Sequence, residues 1–491
     1  MKLNIQGEMN LSYVQNLCLI FFPGAKFAQD EELTDETPIV DVSLTSEGDV
    51  FRAYCKMTLG DRSECAEAVF DRSGENGESY SADRAGKIAV GKAFYLAGGK
   101  LFDYQPPWGI LTGIRPAKMA ANYYSELHSK LAVRRVLVGD YLLSPKKARL
   151  VTDIAVAEQK TLARYGLDTC SLYISVPFCP TRCAYCSFVS YSTKRLISLI
   201  PDYLVRVMED IETTAKIIKE KGQKVVSVYI GGGTPTMLSA KELSMLLSKI
   251  RECIDFSTVE EFTLEGGRPD TFTEEKLIAI KEAGVTRISV NPQTLCDDIL
   301  RGIGRAHTSE DFFRAFEMTR KVGIPCINTD VIAGLPGDSF PGFSKTMDGI
   351  VALRPENITV HTFSVKTASD ILHSGVNVYS RSSIQAVKCV DYSQVVTLNS
   401  GYSAYYLYRQ KNTVGNLENV GFTLPGFAGL YNSLIMSDQH NIYAVGASAV
   451  TKLIGENGPK RFFCPKYPYE YLDATKEKRE EFFRSEKEFG I

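Results

Sequence analysis

From about residue 172 onward, short apolar segments alternate along the chain with amphipathic segments. The apolar segments have the length of buried strands, and the amphipathic ones repeat their apolar positions every three to four residues, as helices do. The predicted strands are 172–178, 225–230, 261–264, 287–290, 326–332 and 357–363, and the predicted helices between them are about 196–220, 239–254, 273–283, 309–322 and 341–353. This alternation predicts a parallel sheet with right-handed crossovers, either an open doubly wound sheet or part of a (β/α) barrel.

The segments on either side of this repeat have different patterns, so we predict three domains: 1–165, 166–375 and 376–491. The first should be an α/β domain with a small antiparallel sheet. Its predicted strands are 17–22, 39–44, 50–57 and 66–70, its predicted helices are 83–101 and about 116–165 with Pro116 at the first position, and 73–77 is a predicted loop. The last domain should begin with a helix at 384–398, continue as a Gly-rich closing segment at 415–455, and end in a solvated surface helix at 475–491.

The composition is that of an ordinary globular protein and excludes several classes. The chain has 491 residues, 44% of them apolar and 23% charged, and 56 basic residues nearly balance 58 acidic ones. Such a balance gives no overall field that would favour nucleic acid. The early apolar run at 17–22 is too short to cross a membrane, and no signal segment precedes it, so we expect a cytoplasmic protein without a membrane partner.

Three of the 12 cysteines lie together, in Cys179-Pro-Thr-Arg-Cys183-Ala-Tyr-Cys186, and the others are scattered. In a reducing compartment, clustered cysteines indicate metal or redox chemistry rather than disulfides. Zinc would need a fourth ligand, but only Cys170 lies nearby and no His follows, while covalent haem attachment fails because Ser187 stands after Cys186. A 4Fe-4S cluster with three thiolates and one open iron fits the count. Three buried structural cysteines are the competing interpretation.

Further unusual motifs follow the other predicted strands. They are Gly231-Gly-Gly-Thr-Pro-Thr236, Glu265-Gly-Gly-Arg-Pro-Asp270, Asn291-Pro-Gln293, Gly334-Leu-Pro-Gly337 and Ser364-Val-Lys366. Because the carboxyl ends of parallel strands meet at one edge of a sheet, we expect all of them at a single ligand site. The glycine run alone is a weak signal, since a turn between strand and helix needs glycine anyway.

The cysteine loop after the first strand and the Gly-Gly-Gly-Thr-Pro run after the second resemble those of radical S-adenosylmethionine (SAM) enzymes. The ordered motifs at 172–179, 231–236, 304–308, 328–330 and 334–337 further resemble the oxygen-independent coproporphyrinogen III oxidase family, over about residues 170–465. Residues 265–271, 289–294 and 405–412 resemble its HemZ-type branch, which also carries an extra N-terminal domain. The resemblance implies a partial (β/α)6 TIM-like barrel with an N-terminal α/β accessory domain and a C-terminal mixed extension covering the substrate.

The resemblance also implies cofactors, a 4Fe-4S cluster and SAM, and a role for each site residue. The cluster would be bound by Cys179, Cys183 and Cys186, and the methionyl amino group of SAM by Gly232, Gly233, Thr234 and Glu265. Arg305 would bind the methionyl carboxylate, and Gln293 and Asp330 would bind the ribose. Tyr173 and Tyr185 would pack against the cofactor and the cluster, and the adenine would contact backbone near Ser364. Each has a simpler interpretation: a solvated acid or helix cap for Glu265 and Asp330, a polar strand end for Gln293, a surface cation for Arg305.

A tetrapyrrole with four propionates would need cations around the barrel mouth. Arg268, Lys366, Arg409 and Lys411 are candidates by position, although solvated surface positions explain them equally well. The alternating Tyr405, Tyr406 and Tyr408 predict a strand that either packs in the core or lines a flat ligand. His307 and His361 are weaker candidates for the site, since a structural histidine is as common there. No catalytic acid or base is assigned.

By resemblance, the reaction converts coproporphyrinogen III to protoporphyrinogen IX without oxygen. A 5'-deoxyadenosyl radical would take a hydrogen from a propionate β-carbon, carbon dioxide would leave, and an unidentified acceptor would take one electron; the electron donor is also unidentified. One rival function is a haem chaperone of the same family, whose branch carries a His-Asn pair where this chain has Tyr431-Asn432. The other rival is a radical SAM methyltransferase acting on a tetrapyrrole.

Overall fold

The computed structural model describes residues 1–27, 37–73, 80–186, 191–364, 382–410, 413–474 and 476–485. Contacts divide the chain into two compact units. The N-terminal unit comprises 1–156, 377–387 and 407–418, and the barrel unit comprises 157–376, 388–406 and 419–491. In the part of the chain that is described, no helix is long and apolar enough to cross a membrane.

The N-terminal unit contains a four-stranded sheet in the order β1-β2-β3-β4. Its elements are β1 Lys2–Gln6, α1 Leu11–Phe21, β2 Ile39–Glu47, β3 Val50–Leu59, β4 Arg62–Asp71, α2 Ala82–Phe102, α3 Pro116–Leu127, α4 Lys130–Gly139 and α5 Pro145–Leu162, whose last turns belong to the barrel unit. Strands β2 to β4 pair antiparallel, as predicted, whereas β1, which was not predicted, pairs parallel with β2. The predicted helix at 83–101 and the helix start at Pro116 are confirmed.

Two predictions for this unit are wrong. Residues 17–22 lie mostly in helix α1 rather than in a strand, because Val14, Leu17, Cys18 and Phe21 form one buried helical face and the Asn10 side chain caps the first turn. The predicted helix at 116–165 is three helices, because His128 (φ 50°) and Leu142 (φ 56°) take left-handed conformations that end a helix. Residues 74–77 of the predicted loop lie outside the described residues.

The barrel unit is built on an eleven-stranded sheet in the order β11-β12-β10-β9-β8-β7-β6-β5-β13-β14-β15. The strands are β5 Thr169–Val176, β6 Lys224–Gly232, β7 Glu261–Gly267, β8 Arg287–Val290, β9 Cys326–Ala333, β10 Asn357–Thr362, β11 Ser403–Arg409, β12 Glu418–Thr423, β13 Asn441–Val445, β14 Val450–Gly455 and β15 Gly458–Phe463. The helices are α6 Lys194–Ile197, α7 Ile200–Glu220, α8 Ala240–Cys253, α9 Glu274–Glu282, α10 Asp297–Gly302, α11 Ser309–Val322, α12 Phe340–Ala352, α13 Ser382–Asn399, α14 Leu430–Met436, α15 Pro468–Asp473 and α16 Glu477–Ser485. Of these elements, residues 382–387 of α13, 407–409 of β11 and 418 of β12 belong to the N-terminal unit.

All six predicted strands are present, and β5 to β10 are parallel neighbours in sequence order. This order has no reversal point, so the sheet is the partial barrel rather than the doubly wound alternative. The predicted interstrand helices are confirmed, except that the first is split into α6 and α7. The strands are buried on both faces, as expected when helices cover a parallel sheet.

The C-terminal predictions are partly corrected. The helix at 384–398 and the strand at Tyr405–Tyr408 are confirmed as α13 and β11. The terminal segment is not simply a solvated helix: in α16, Phe483 is fully buried against Tyr443, with ring centroids 5.3 Å apart, and Arg479 pairs with the buried Asp210 of α7. Residues 475 and 486–491 lie outside the described residues.

Candidate functional site

The cysteine loop follows β5 directly and is held by backbone contacts. The Cys179 amide donates to the Tyr191 carbonyl at 3.1 Å, and the Ala184 amide donates to the Ile303 carbonyl at 3.0 Å. The Thr181 hydroxyl donates to the Gly304 carbonyl at 3.0 Å. Gly304 has a φ of 77°, and a Cβ added there would lie 3.0 Å from a backbone oxygen of the loop. This close approach explains a glycine at position 304 and fixes the loop against the turn after α10.

Three thiols in one loop are ligands of the type that an iron–sulfur cluster uses. Cys179, Cys183 and Cys186 are partly exposed, and none of the described cysteines forms a disulfide bond. Within the described ranges, no three His, Cys, Asp or Glu side chains converge as tightly as the ligands of one metal ion. Zinc draws its ligands around a single point at about 2.0–2.3 Å, whereas each thiolate of an iron–sulfur cluster binds a different iron and needs no such convergence.

The glycine run at the end of β6 packs against both neighbouring strands. The Gly233 amide donates to Val176 and the Thr234 amide to Phe178, each at 2.8 Å. A Cβ at Gly233 would lie 2.5 Å from the Phe178 carbonyl oxygen, and one at Gly231 would lie 2.7 Å from a carboxylate oxygen of Glu265. Glycine is therefore required here by close packing, and the run brings the backbone next to the Glu265 carboxyl group.

Glu265 ends among three stacked tyrosine rings. Tyr229 lies 4.3 Å from Tyr431 and 6.0 Å from Tyr173 between ring centroids, and its hydroxyl donates to Glu265. The pKa of the Glu265 carboxyl is raised to about 7. Burial is the largest cause and the negative charge of Asp330 adds to it, whereas the hydrogen bond from Tyr229 acts in the opposite direction. A carboxyl group placed so unfavourably for ionisation is suited to a cationic ligand, which would restore its charge.

Asp330 and Gln293 form a second part of the site. The Asp330 carboxylate accepts from Asn291 at 2.7 Å and Asn328 at 2.8 Å, and His361 lies 3.8 Å away. Burial opposes its ionisation, but His361 and these hydrogen bonds lower its pKa below the usual range. Gln293 has a φ of 67°, and its buried Oε1 has no hydrogen-bond partner in the part of the chain that the structure describes. Left-handed backbone and an unsatisfied buried acceptor are typical of ligand sites.

Arg305 is a buried residue rather than a surface cation, being only 6% exposed. Its Nη1 donates to the Tyr185 hydroxyl at 3.0 Å and its Nη2 to the Asn291 carbonyl at 2.7 Å, while its Nε has no partner among the described residues. Burial and the adjacent Arg305 cation lower the pKa of His307 to about 4, so this ring is neutral at pH 7. Arg305 thus gives the site a fixed positive charge and an N–H group, at Nε, from which a ligand can accept a hydrogen bond.

The structure brings most of the predicted site residues together along the carboxyl ends of β5 to β9. Ser364 is buried just after β10. Asn291 and Asn328 belong to motifs that the sequence singled out, but they were given no role there. Tyr229 was missed; its signal was a hydroxyl-bearing ring two residues before the glycine run, on a largely buried strand. Lys366 and Lys411 lie outside the described residues.

Two predicted substrate cations have other partners. Arg409 lies in the N-terminal unit, where it donates to the Leu111 carbonyl at 2.6 Å and lies over the Trp108 ring, so its prediction as a cation of the barrel mouth is wrong. Arg268 forms a two-fold ion pair with Asp270 at 2.9 and 3.0 Å. Tyr405 and Tyr406 are buried, which agrees with core packing. Burial, rather than position along the sequence, decides these cases.

Comparisons with known proteins find relatives over the region that contains this site. The Radical SAM superfamily matches residues 173–350. The oxygen-independent coproporphyrinogen-III oxidase-like protein HemZ of Bacillus subtilis is 37% identical over 370 residues, 74% of this chain and 74% of the relative. The haem chaperone HemW of the same organism is 35% identical over 197 residues, 40% of this chain and 51% of the relative. The solved coproporphyrinogen III oxidase HemN of Escherichia coli superposes with a TM-score of 0.49 at 22% identity, over 60% of this chain and 67% of its own.

Proposed function

We propose that this chain, which belongs to the radical SAM superfamily and within it to the oxygen-independent coproporphyrinogen III oxidase-like family, converts coproporphyrinogen III to protoporphyrinogen IX. The family uses a 4Fe-4S cluster and SAM, which together supply a 5'-deoxyadenosyl radical when bound. Each of two propionates would lose a hydrogen atom to such a radical, one electron to an external acceptor, and carbon dioxide, leaving a vinyl group. In this proposal residues 166–375 carry the chemistry, 376–491 cover the substrate, and 1–165 are accessory.

The residues present fit both cofactors. The three thiols of the loop after β5 would hold the cluster. Three groups fit SAM. The Glu265 carboxyl is one whose ionisation an ammonium group would favour. Two buried atoms without partners among the described residues are the Arg305 Nε, a donor for a carboxylate, and the Gln293 Oε1, an acceptor for a ribose hydroxyl. Their convergence on one edge of the sheet, together with the glycine run beside Glu265, is the observation that carries the proposal.

The chain's own residues then bind, orient and shield. Tyr229 orients the Glu265 carboxyl through its hydrogen bond, and the stacked Tyr173 and Tyr431 rings would shield one side of it from water. Asn291 links the two halves of the site, because its side chain binds Asp330 and its carbonyl accepts from Arg305. A charge-assisted contact in such a desolvated setting contributes more than one in water.

The test is anaerobic incubation of the reconstituted protein with SAM, a reductant and coproporphyrinogen III, followed by mass analysis of the porphyrin products. We expect loss of two carbon dioxide molecules and formation of 5'-deoxyadenosine. The Cys183→Ala variant, treated in the same way, should give neither product. Decarboxylation that persists in this variant, or its absence in the loaded wild-type protein, contradicts the proposal.

The same preparation separates the oxidase from a haem chaperone, the function named for the HemW relatives. Tyr431 stands where that branch carries histidine, and burial raises the pKa of its phenol well above the ordinary value, which disfavours the phenolate that binds haem iron. His440 is buried against Ser171 at 2.9 Å, with a pKa lowered by burial to about 3. We therefore expect weak haem binding by spectral titration. Tight one-to-one binding without decarboxylated product favours the chaperone; methylated product favours the methyltransferase.

A further inference from the structure

We propose that Arg268 is a positioning residue that hydrogen-bonds the Cys183 thiolate and makes the bound cluster easier to reduce. The Arg268 Nη1 lies 3.8 Å from the Cys183 Sγ, within hydrogen-bond distance of sulfur, and the residue is only 3% exposed. The proposal rests on the family's cluster, bound by the three-cysteine loop, and is independent of which tetrapyrrole the enzyme uses.

The backbone aims Arg268 at the loop. The pairing of β7 with β8 shifts register between Leu264 and Gly267, an irregularity of the kind that a β-bulge produces. Gly267 takes a left-handed conformation with φ 68°, and the Arg268 amide donates to the Gly266 carbonyl at 2.8 Å. Bulges redirect the side chains that follow them and are common beside active sites. The turn therefore directs the Arg268 side chain away from the strand and toward the cysteine loop.

All three nitrogens of the Arg268 guanidinium have hydrogen-bond partners that hold the group in place. Its Nε and Nη2 bind the two oxygens of Asp270 at 3.0 and 2.9 Å, and its Nη1 also donates to the Thr181 hydroxyl at 2.9 Å. Thr181 lies in the same loop as Cys183. The planar fork holds the donor toward the sulfur without the loss of side-chain freedom that a lysine would incur.

A donor and a positive charge at a cluster thiolate stabilise the more negative, reduced state, because reduction adds an electron to the cluster. Asp270 offsets part of this charge. Removing the guanidinium should therefore lower the reduction potential, and neutralising Asp270 should raise it. A purely structural role predicts no such opposite pair of shifts.

The experiment is an anaerobic redox titration of the cluster, followed by electron paramagnetic resonance, without SAM or substrate. In Arg268→Met we expect the ratio of reduced to oxidised cluster at a fixed ambient potential to fall about tenfold, which is ~59 mV for a one-electron couple. Arg268→Lys should lie between Arg268→Met and wild type, and Asp270→Asn should shift in the opposite direction. Arg314→Met is the matched control, since it removes the same charge from an exposed pair with Asp311.

Iron and sulfide content is measured for every variant. A fully loaded Arg268→Met with the midpoint of wild type and of Arg314→Met overturns the proposal. Should Arg268→Met fail to load, Arg268→Lys and Asp270→Asn decide: opposite shifts support the proposal, and shifts of one sign or none overturn it. A protein that holds its cluster and shows these shifts but does not decarboxylate coproporphyrinogen III would contradict the proposed function alone.

Discussion

Glu265 should make the binding of SAM depend on pH in a range where an ordinary carboxylate has no effect. Its pKa rises from 4.5 to about 7 in the folded chain. Only the ionised carboxylate attracts an ammonium group, so the affinity for SAM should fall as the pH falls through about 7. The steepest possible dependence is a tenfold change in affinity, or about 1.4 kcal/mol of binding free energy, per pH unit. Between about pH 7.5 and about pH 6, the ionised fraction drops roughly eightfold, and the dissociation constant should rise by the same factor.

Burial is the largest cause of this raised pKa, and four neighbouring groups modify it: the Tyr229 hydroxyl, the Asp330 carboxylate, the Gly232 amide and His361. The effect on stability has the opposite sign to the effect on binding. Because the folded state holds the Glu265 proton more tightly than the unfolded state, its contribution to stability is full below pH 4.5 and is lost as pH rises through about 7. Ligand-free protein should thus lose this stability over the range in which SAM affinity increases.

Isothermal titration calorimetry on cluster-loaded protein measures both affinity and proton release, if each pH is repeated in buffers of different ionisation enthalpy. Measurements should stay below the range near 7.7 to 8.0 in which an α-amino group itself loses its proton. Glu265→Gln should bind more weakly and without the slope. Glu260→Gln, which removes a carboxylate paired with Arg164 on the surface at 2.5 Å, should retain the slope. A flat wild-type profile, or a slope that survives in Glu265→Gln, refutes the assignment.

Three further outcomes test other parts of the chain. Cys183→Ala should lose iron and sulfide on chemical analysis, whereas Cys326→Ala, which changes a buried cysteine of β9 outside the loop, should retain both. Gly233→Ala places a Cβ 2.5 Å from backbone and should lower the affinity for SAM, measured by calorimetry, at least tenfold. In the control Gly139→Ala, the added Cβ meets no neighbour within 4 Å, and the affinity should stay that of the wild type. Glu418→Gln leaves the buried Lys147 charge uncompensated and should lower the free energy of unfolding in urea by about 3 to 5 kcal/mol, against about 0 to 1 for Asp83→Asn in an exposed pair.

The sequence by itself determined the barrel, because its periodicity is a local property. In the region 172–363, each strand is a short apolar run and each helix shows its own repeat, and a consecutive strand–helix series has few ways to close. The cysteine loop and the glycine run were equally visible, since their chemistry depends on spacing within a few residues. Where local patterns conflict, the prediction failed: residues 17–22 look like a strand alone, but most of them belong to helix α1, whose buried face begins at Val14.

Only the tertiary structure decided which groups face one another. Arg268 and Arg409 are both arginines near predicted strand ends, yet the turn at Gly267 directs the first toward a cysteine, and the second is buried against the Trp108 ring. In the sequence, Tyr229 is one aromatic residue of a buried strand, and only the structure shows that its hydroxyl donates to the Glu265 carboxylate. Side-chain partners depend on register, bulges and contacts between residues far apart in sequence, and no local pattern encodes these. The cofactor loops were therefore predictable, whereas the residues that tune them were not.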